Sequence, residues 1–209
     1  NITLVDNAIV TVNFGETMKS SIQGTVYVDN TGNGTKDTTD RVISGVTMKL
    51  TGVDGQGNAV SMETVTDANG NYVFIVEAGV YDLSEVQPTM YSDGADNLGS
   101  LEGTATNDKV TGIEVLSAED GQDYNFGELG GSISGVVFND ANNNKTQDTS
   151  EVIMSGVKVT VKDTAGNILG EVTTGADGKY EVLGLAFGTY VVTEEIPTNY
   201  GVTTTNPLN

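Results

Sequence analysis

Neither cysteine nor histidine occurs among the 209 residues. No disulfide can staple the fold, and zinc sites and histidine-based acid–base catalysis are excluded. Cationic side chains are scarce as well: nine Lys and Arg stand against 29 Asp and Glu, a formal net charge of −20. Such a chain is a poor ligand for nucleic acid or anionic membranes, and it repels itself when compact unless counter-ions are held. No apolar run reaches membrane-spanning length and no secretory signal opens the chain, so the sequence reads as a mature protein or a fragment of one. No segment sustains a 3.6-residue apolar period, which argues against helices. Apolar residues make up 37% of the chain, a content that suits two modest domains built as thin sandwiches.

What the chain has in quantity is Asp, Asn, Gly and Thr, and twice they fall at fixed intervals. The stretch Asp29 to Asp40 places oxygen-bearing side chains at positions 1, 3, 5, 9 and 12 of a twelve-residue loop, and Asp140 to Glu151 repeats the spacing. That is the ligand pattern of an EF-hand calcium loop. Calcium takes oxygens at roughly 2.3–2.6 Å, so a short loop must wrap it and turn alternate residues inward. The expected ligands of the first loop are Asp29, Thr31, Asn33, the carbonyl of Thr35, Asp37 and Asp40. In the second they are Asp140, Asn142, Asn144, the carbonyl of Thr146, Asp148 and Glu151. Position 6 normally requires glycine for its sharp turn. Gly34 fits, whereas Lys145 must accept a left-handed conformation costing an L-residue about 1–2 kcal/mol. Glu151 is long enough to bind through both oxygens; Asp40 is a methylene shorter, and Thr31 is a neutral ligand. These residue types are also turn formers, so the alternative is a pair of plain loops. Two copies with the same spacing favour the metal reading, about one ion per repeat.

The loops belong to a longer duplication. Ser21–Tyr27 aligns with Ser132–Phe138 at an offset of about 111 residues that holds through Gly45 and Gly156. Asn69-Gly70-Asn71-Tyr72 aligns with Asp177-Gly178-Lys179-Tyr180, and Pro88-Thr89-Met90-Tyr91 with Pro197-Thr198-Asn199-Tyr200. Val12–Glu16 resembles Tyr124–Glu128, the close of the first full repeat. The expected units are residues 1–19, the last strand of a preceding repeat; 20–130, a full repeat; and 131–209, a repeat without its final strand. Strict alternation in Val46–Thr51 and Val157–Lys162 predicts half-buried strands. Asn69-Gly70 and Asp177-Gly178 predict type I′ turns joining paired strands. The fold class is all-β: tandem Greek-key sandwiches joined by the short link Glu128-Leu129-Gly130-Gly131.

These elements in this order, twice, resemble the B-type repeats of serine-aspartate-repeat (SdrD-like) surface proteins, relatives of the Cna-B domain. The resemblance rests on Ser-Ile-x-Gly-x-Val before the acidic loop, then Thr66–Phe74, Gly79-Val80-Tyr81, Glu85 and Pro88-x-x-Tyr91. It implies a prealbumin-like sandwich and a calcium-stabilised stalk on a bacterial cell surface, with neighbouring repeats as partners. Many Cna-B relatives carry a Lys–Asn isopeptide bond promoted by a buried acid. By the resemblance Glu85 and Glu194 match that acid and Asn125 the acceptor. The first strands Ile22–Tyr27 and Ile133–Phe138 carry no lysine, and Lys19 lies outside them, so Glu85 and Glu194 are read as structural and no cross-link is expected.

Two other functions compete with the stalk. The opening segment, with Ile2, Leu4, Ile9, Val10, Val12 and Phe14, is suited to complete the second repeat of another copy by strand addition, giving a head-to-tail filament; a window cut out of phase with the repeat explains the same ends. Tyr91, Tyr200 or the turn Asp93-Gly94-Ala95-Asp96-Asn97 are candidates for ligand contact, Asp93 and Asp96 also for a minor metal site. No nucleophile–base pair or phosphate loop is present, so catalysis is not expected.

Overall fold

A computed structural model describes residues 2–3, 5–7 and 9–202. The strands are β1 (Ser20–Val28), β2 (Arg41–Val42), β3 (Thr47–Asp54), β4 (Ala59–Val65), β5 (Asn71–Val76), β6 (Gly79–Glu85), β7 (Ser92–Asp96) and β8 (Thr104–Thr106). They continue with β9 (Lys109–Val115), β10 (Asp120–Gly121), β11 (Phe126–Leu129), β12 (Gly131–Val136), β13 (Lys158–Asp163), β14 (Ile168–Thr173), β15 (Lys179–Leu185) and β16 (Tyr190–Glu194). Among the described residues there is no helix.

In the first repeat, β3 is the centre of one sheet, ordered β4-β3-β6-β9-β8, and β1 organises the other, pairing with β2, β5, β10 and β11, with β7 beyond β11. Alternation sets which side chains go inward, because successive strand residues point to opposite faces. Met48 and Leu50 of β3 are buried while Lys49 and Thr51 are exposed; Tyr72, Phe74 and Val76 of β5 are buried while Asn71, Val73 and Ile75 are not. These faces meet in one core with Ile22, Val26, Tyr81, Leu83, Val110, Ile113, Tyr124 and Phe126. Strand β11 runs parallel to β1, matching Val26 with Phe126 and Val28 with Glu128, and closes the sandwich.

Among the described residues, the second repeat rebuilds the same plan with fewer strands. Strand β12 pairs with β15 as β1 does with β5, and β14-β13-β16 reproduces β4-β3-β6. Val161, Val182 and Leu185 form its buried centre, flanked by partly buried Ile133, Leu169, Val172, Tyr190 and Val192. One residue, Gly130, separates β11 from β12.

Two sequence expectations need correcting. The Asn69-Gly70 and Asp177-Gly178 turns are not type I′, because only the glycines, at φ 72° and 69°, are left-handed. Gly70 N–H donates to the Asp67 carbonyl and Gly178 N–H to that of Gly175, giving type I turns closed by a left-handed glycine. Nor does either turn join paired strands: β4 pairs with β3 and β5 with β1, and likewise β14 pairs with β13 and β15 with β12, so each turn carries the chain from one sheet to the other. The Asp67 carboxylate accepts the Asn69 and Asn71 N–H groups, locking the bend in the local way open to Asp. The described residues before Ser20 join no sheet; Ile9 is 96% and Phe14 87% exposed. Leu4, named with that segment, lies outside the described residues.

Candidate metal centres

The first acidic loop leaves β1 at Val28 and returns to β2 at Arg41. Asp29 anchors it. Its side chain turns inward and the residue is only 6% exposed. Oδ1 accepts the N–H groups of Gly32 (2.7 Å), Thr31 (3.1 Å) and Asn33 (3.3 Å), and Oδ2 that of Gly34 (2.7 Å). Burial pushes the Asp29 carboxyl up, but these four N–H groups outweigh it and hold the pKa below the ordinary value. Asp40 ties the ends: its Oδ1 accepts from Asn30 N–H and its Oδ2 from Asp37 N–H, both at 2.9 Å. Between them Asn33 Oδ1 accepts from Thr35 N–H (2.8 Å), and Asp37 Oδ1 from the Thr39 hydroxyl and N–H.

The second loop repeats the main roles at the equivalent positions. Asp140 accepts Asn144 and Lys145 N–H groups at 3.0 Å, Asn144 Oδ1 accepts Thr146 N–H at 2.8 Å, and Glu151 takes the Ala141 and Asp148 N–H groups at 3.0 Å. Asn142 and Asn144 side-chain amides both donate to Asp148 Oδ2. In each loop positions 4 and 6 are left-handed: Gly32 and Gly34 at φ 67° and 74°, Asn143 and Lys145 at 57° and 66°. Asn tolerates that region because its side chain bonds locally; Lys does not. Lys145→Gly is therefore expected to stabilise the second repeat by about 1 kcal/mol, less the entropy glycine adds to the unfolded chain. Urea unfolding checks this; an unchanged or lower stability contradicts it.

The donors brought together are all hard oxygens, with three carboxylates in each loop: Asp29, Asp37 and Asp40, then Asp140, Asp148 and Glu151. That set fits calcium in chemistry and charge, with Thr31, Asn33 and the Thr35 carbonyl, or Asn142, Asn144 and the Thr146 carbonyl, as neutral ligands.

Other residues singled out by the sequence fall elsewhere. Asp93 to Asp96 form no turn but lie within β7, paired with β11 through Asp96↔Phe126 and Asp93↔Glu128. Glu85 is buried at the end of β6, whereas Glu194 on β16 is exposed. Burial, reinforced by Glu128, Asp108, Asp96 and Asp93, pushes Glu85 up to about 9; burial likewise raises Glu128 to about 7 and Asp96 to about 6. Asn125 precedes β11 and its Oδ1 accepts Thr25 N–H at 2.9 Å. Tyr91 is partly buried and Tyr200 is 48% exposed; each N–H bonds back to the carbonyl three residues before, at Pro88 and Pro197.

Two β-sandwich repeats in tandem, each with an acidic loop after its first strand, define a modular array. The SdrD B-like domain profile matches residues 20–127 and again 131–208. The chain belongs to the SdrD B-like domain family. It is 34% identical over 206 residues to serine-aspartate repeat-containing protein D of Staphylococcus aureus (strain Newman), covering 98% of this chain and 15% of that protein. It is 36% identical over 190 residues to serine-aspartate repeat-containing protein F of Staphylococcus epidermidis, covering 88% of this chain and 11% of that one. The chain thus spans a small part of the relatives it matches. Among solved structures, the Bacillus anthracis TIE protein aligns with TM-score 0.40 at 16% identity, over 88% of this chain and 30% of that one. A streptococcal ancillary pilin aligns with TM-score 0.36 at 19% identity, over 90% and 57%.

Proposed function

We propose that the two loops bind calcium and that the repeats form a calcium-stabilised spacer in an extracellular bacterial surface protein, with neighbouring repeats as its partners. The observation that carries this reading is the closed first loop lying beside the joint between repeats. Asn30, its second residue, fits against Gly184 of β15, where a Cβ would stand 1.9 Å from Asn30 Oδ1. Arg41, the residue after the loop, donates from Nη2 to the Leu169 carbonyl at 2.5 Å, and Phe187 N–H donates to the Met90 carbonyl at 2.7 Å. An ion that fixes Asp29 relative to Asp40 also fixes the two residues that touch the next repeat.

The energetics follow from linkage. Only the folded loop presents its oxygens together, so a hundredfold excess of calcium over Kd adds about 2.7 kcal/mol per site. Self-repulsion among the 29 acidic residues adds to the need for a cation. The reading needs no catalytic group and assigns none. Its test is unfolding with calcium against chelator: loops that bind the ion raise the midpoint, and loops that are only turns leave it in place.

A further inference from the structure

Strand β5 is an open edge of the first sandwich: it pairs with β1 on one side, and among the described residues no strand pairs with the other. The Asn71 N–H and carbonyl both point away from β1, the first to the Asp67 carboxylate and the second to the Asp67 N–H. Backbone direction alternates along an antiparallel ladder, so the N–H and C=O groups of Val73 and Ile75 face the same open side. The side chains of these two residues stand on the outer face, 47% and 54% exposed. Grooves of about 510 and 180 Å³ flank the strand, the first lined in part by Thr64, Val65 and Val73, the second by Val60, Met62 and Ile75.

Such an edge is a template for a further strand, and folded proteins guard theirs with charges, bulges or short length. Other edge strands of this chain carry these guards: β4 has Glu63, β7 Asp93 and Asp96, β14 Glu171 and β16 Glu194, while β8 is only three residues long. Strand β12 is mostly glycine and serine. In contrast β5, Asn-Tyr-Val-Phe-Ile-Val, has no charge and no proline, and it pairs with β1 through all six residues without a bulge. The second repeat supplies the comparison. Strand β15 holds the place of β5 there, yet Lys179 and Glu181 stand where β5 has Asn71 and Val73, and a register shift interrupts its pairing with β12. The fold itself therefore does not require a bare edge at this position.

We infer that β5 is a self-association surface, at which two copies of this chain pair their β5 strands antiparallel into one continuous sheet. The strand's own chemistry names the partner. In a chain of net charge −20 most surfaces repel a second copy, and this uncharged stretch lets two copies meet without like charges face to face. A two-fold axis at Phe74 sets Val73 of each copy opposite Ile75 of the other, with their free N–H and C=O groups aimed at one another and their aliphatic side chains in contact. The same axis carries Lys19, paired with Glu77 just beyond β5, toward Asp67 of the other copy, a contact of opposite charges at each end of the ribbon. A two-fold contact uses one patch on both copies and so closes at the dimer. Six residues from each copy make a small interface, and the dimer is accordingly weak and concentration-dependent.

The experiment is analytical ultracentrifugation of the whole chain at concentrations reaching about 1 mM, in chelator so that no ion can bridge two acidic copies. The unaltered chain is expected to pass from monomer to dimer as concentration rises. Val73→Glu, which copies Glu181 of the second repeat, is expected to stay monomeric and to unfold at nearly the same temperature; Ile75→Lys is a second variant with the same expectation. Val191→Glu is the control: it adds the same charge at a residue also 47% exposed, paired with Lys162 in the second repeat, and should leave the dimer intact. Amide exchange locates the contact, because the Val73 and Ile75 N–H groups should exchange more slowly as the dimer forms. A chain that stays monomeric at the highest concentration, a dimer that survives both β5 variants or is lost equally in the control, or growth beyond the dimer overturns the assignment.

Discussion

Asp29→Ala is expected to cost the first repeat about 3 kcal/mol or more at neutral pH, and to abolish calcium binding at its loop. Four backbone N–H groups point at this one carboxylate, those of Gly32 and Gly34 at 2.7 Å. Hydrogen bonds to a charged group are worth about 1.5–3 kcal/mol each, and donors left without a partner lose more than the bond itself. The loop's other bonds, such as Asn97 Nδ2 to the Gly34 carbonyl at 2.8 Å, leave the N–H groups of the left-handed Gly32 and Gly34 to Asp29. The pH dependence has a definite sign. Asp29 has a depressed pKa in the folded state, so its contribution is fully present above the unfolded value of 3.8 and is lost as pH falls through the folded value. The stability gap between the unaltered protein and the variant, measured by urea unfolding in chelator, therefore narrows in acid. A gap below about 1 kcal/mol at neutral pH would mean that the loop is held by something other than Asp29.

Gly24→Val is expected to be still more damaging, through packing alone. A Cβ at Gly24 would lie 1.8 Å from the Tyr124 carbonyl oxygen, 2.5 Å from its carbon and 2.8 Å from the Tyr72 hydroxyl. None of these can give way. The Tyr72 hydroxyl donates to that same carbonyl at 2.6 Å, and Tyr124 N–H donates to the Gln23 carbonyl, so the closing segment is tied to β1 at the contact. Relief requires β11 to lift from β1, breaking the Val26–Phe126 pairing and opening the core around Tyr124 and Phe126. Overpacking typically costs about 1–3 kcal/mol where side chains can shift, and more where backbone must move. We expect a loss above about 3 kcal/mol, with the first repeat's transition lowered or lost in thermal unfolding. Gly15→Ala, where a Cβ meets nothing within 4 Å, is the matched control and should change little.

Much of the fold was legible because its signals are local. The alternation of Met48, Lys49 and Leu50 states which face is buried, and the recurrence of Ser-Ile-x-Gly near residues 21 and 132 states that the unit is repeated. The two acidic loops were legible as loops for the same reason: their Asp, Asn and Thr side chains fall within twelve consecutive residues, so spacing alone marks them. Where sequence reasoning went astray, the deciding contact was distant. Asp93-Gly94-Ala95-Asp96 has the composition of a turn, yet it is a strand because Gly94 lies against Gly127, 2.4 Å from where a Cβ would stand, and only two small residues allow that pairing. The Asn69-Gly70 bend was expected to join paired strands, but β1 claims β5 and β3 claims β4, a choice settled by tertiary pairing rather than by the turn. Asp93 and Asp96 were legible as a pair of acids, but Glu85, Asp108 and Glu128, whose charges act on Asp93 and Asp96 or are acted on by them, are scattered from residue 85 to residue 128 at no regular interval.

The most direct test of the account is thermal unfolding of this chain in calcium and in chelator, with calorimetric counting of bound ions. The account predicts at least one ion for each acidic loop and a midpoint that falls by several degrees or more when calcium is removed, since about 2.7 kcal/mol per saturated site is a large share of a small domain's stability. A midpoint indifferent to calcium, with no ions bound, would contradict it: Asp29–Asp40 and Asp140–Glu151 would then be turns, and the repeats would hold their shape through packing alone.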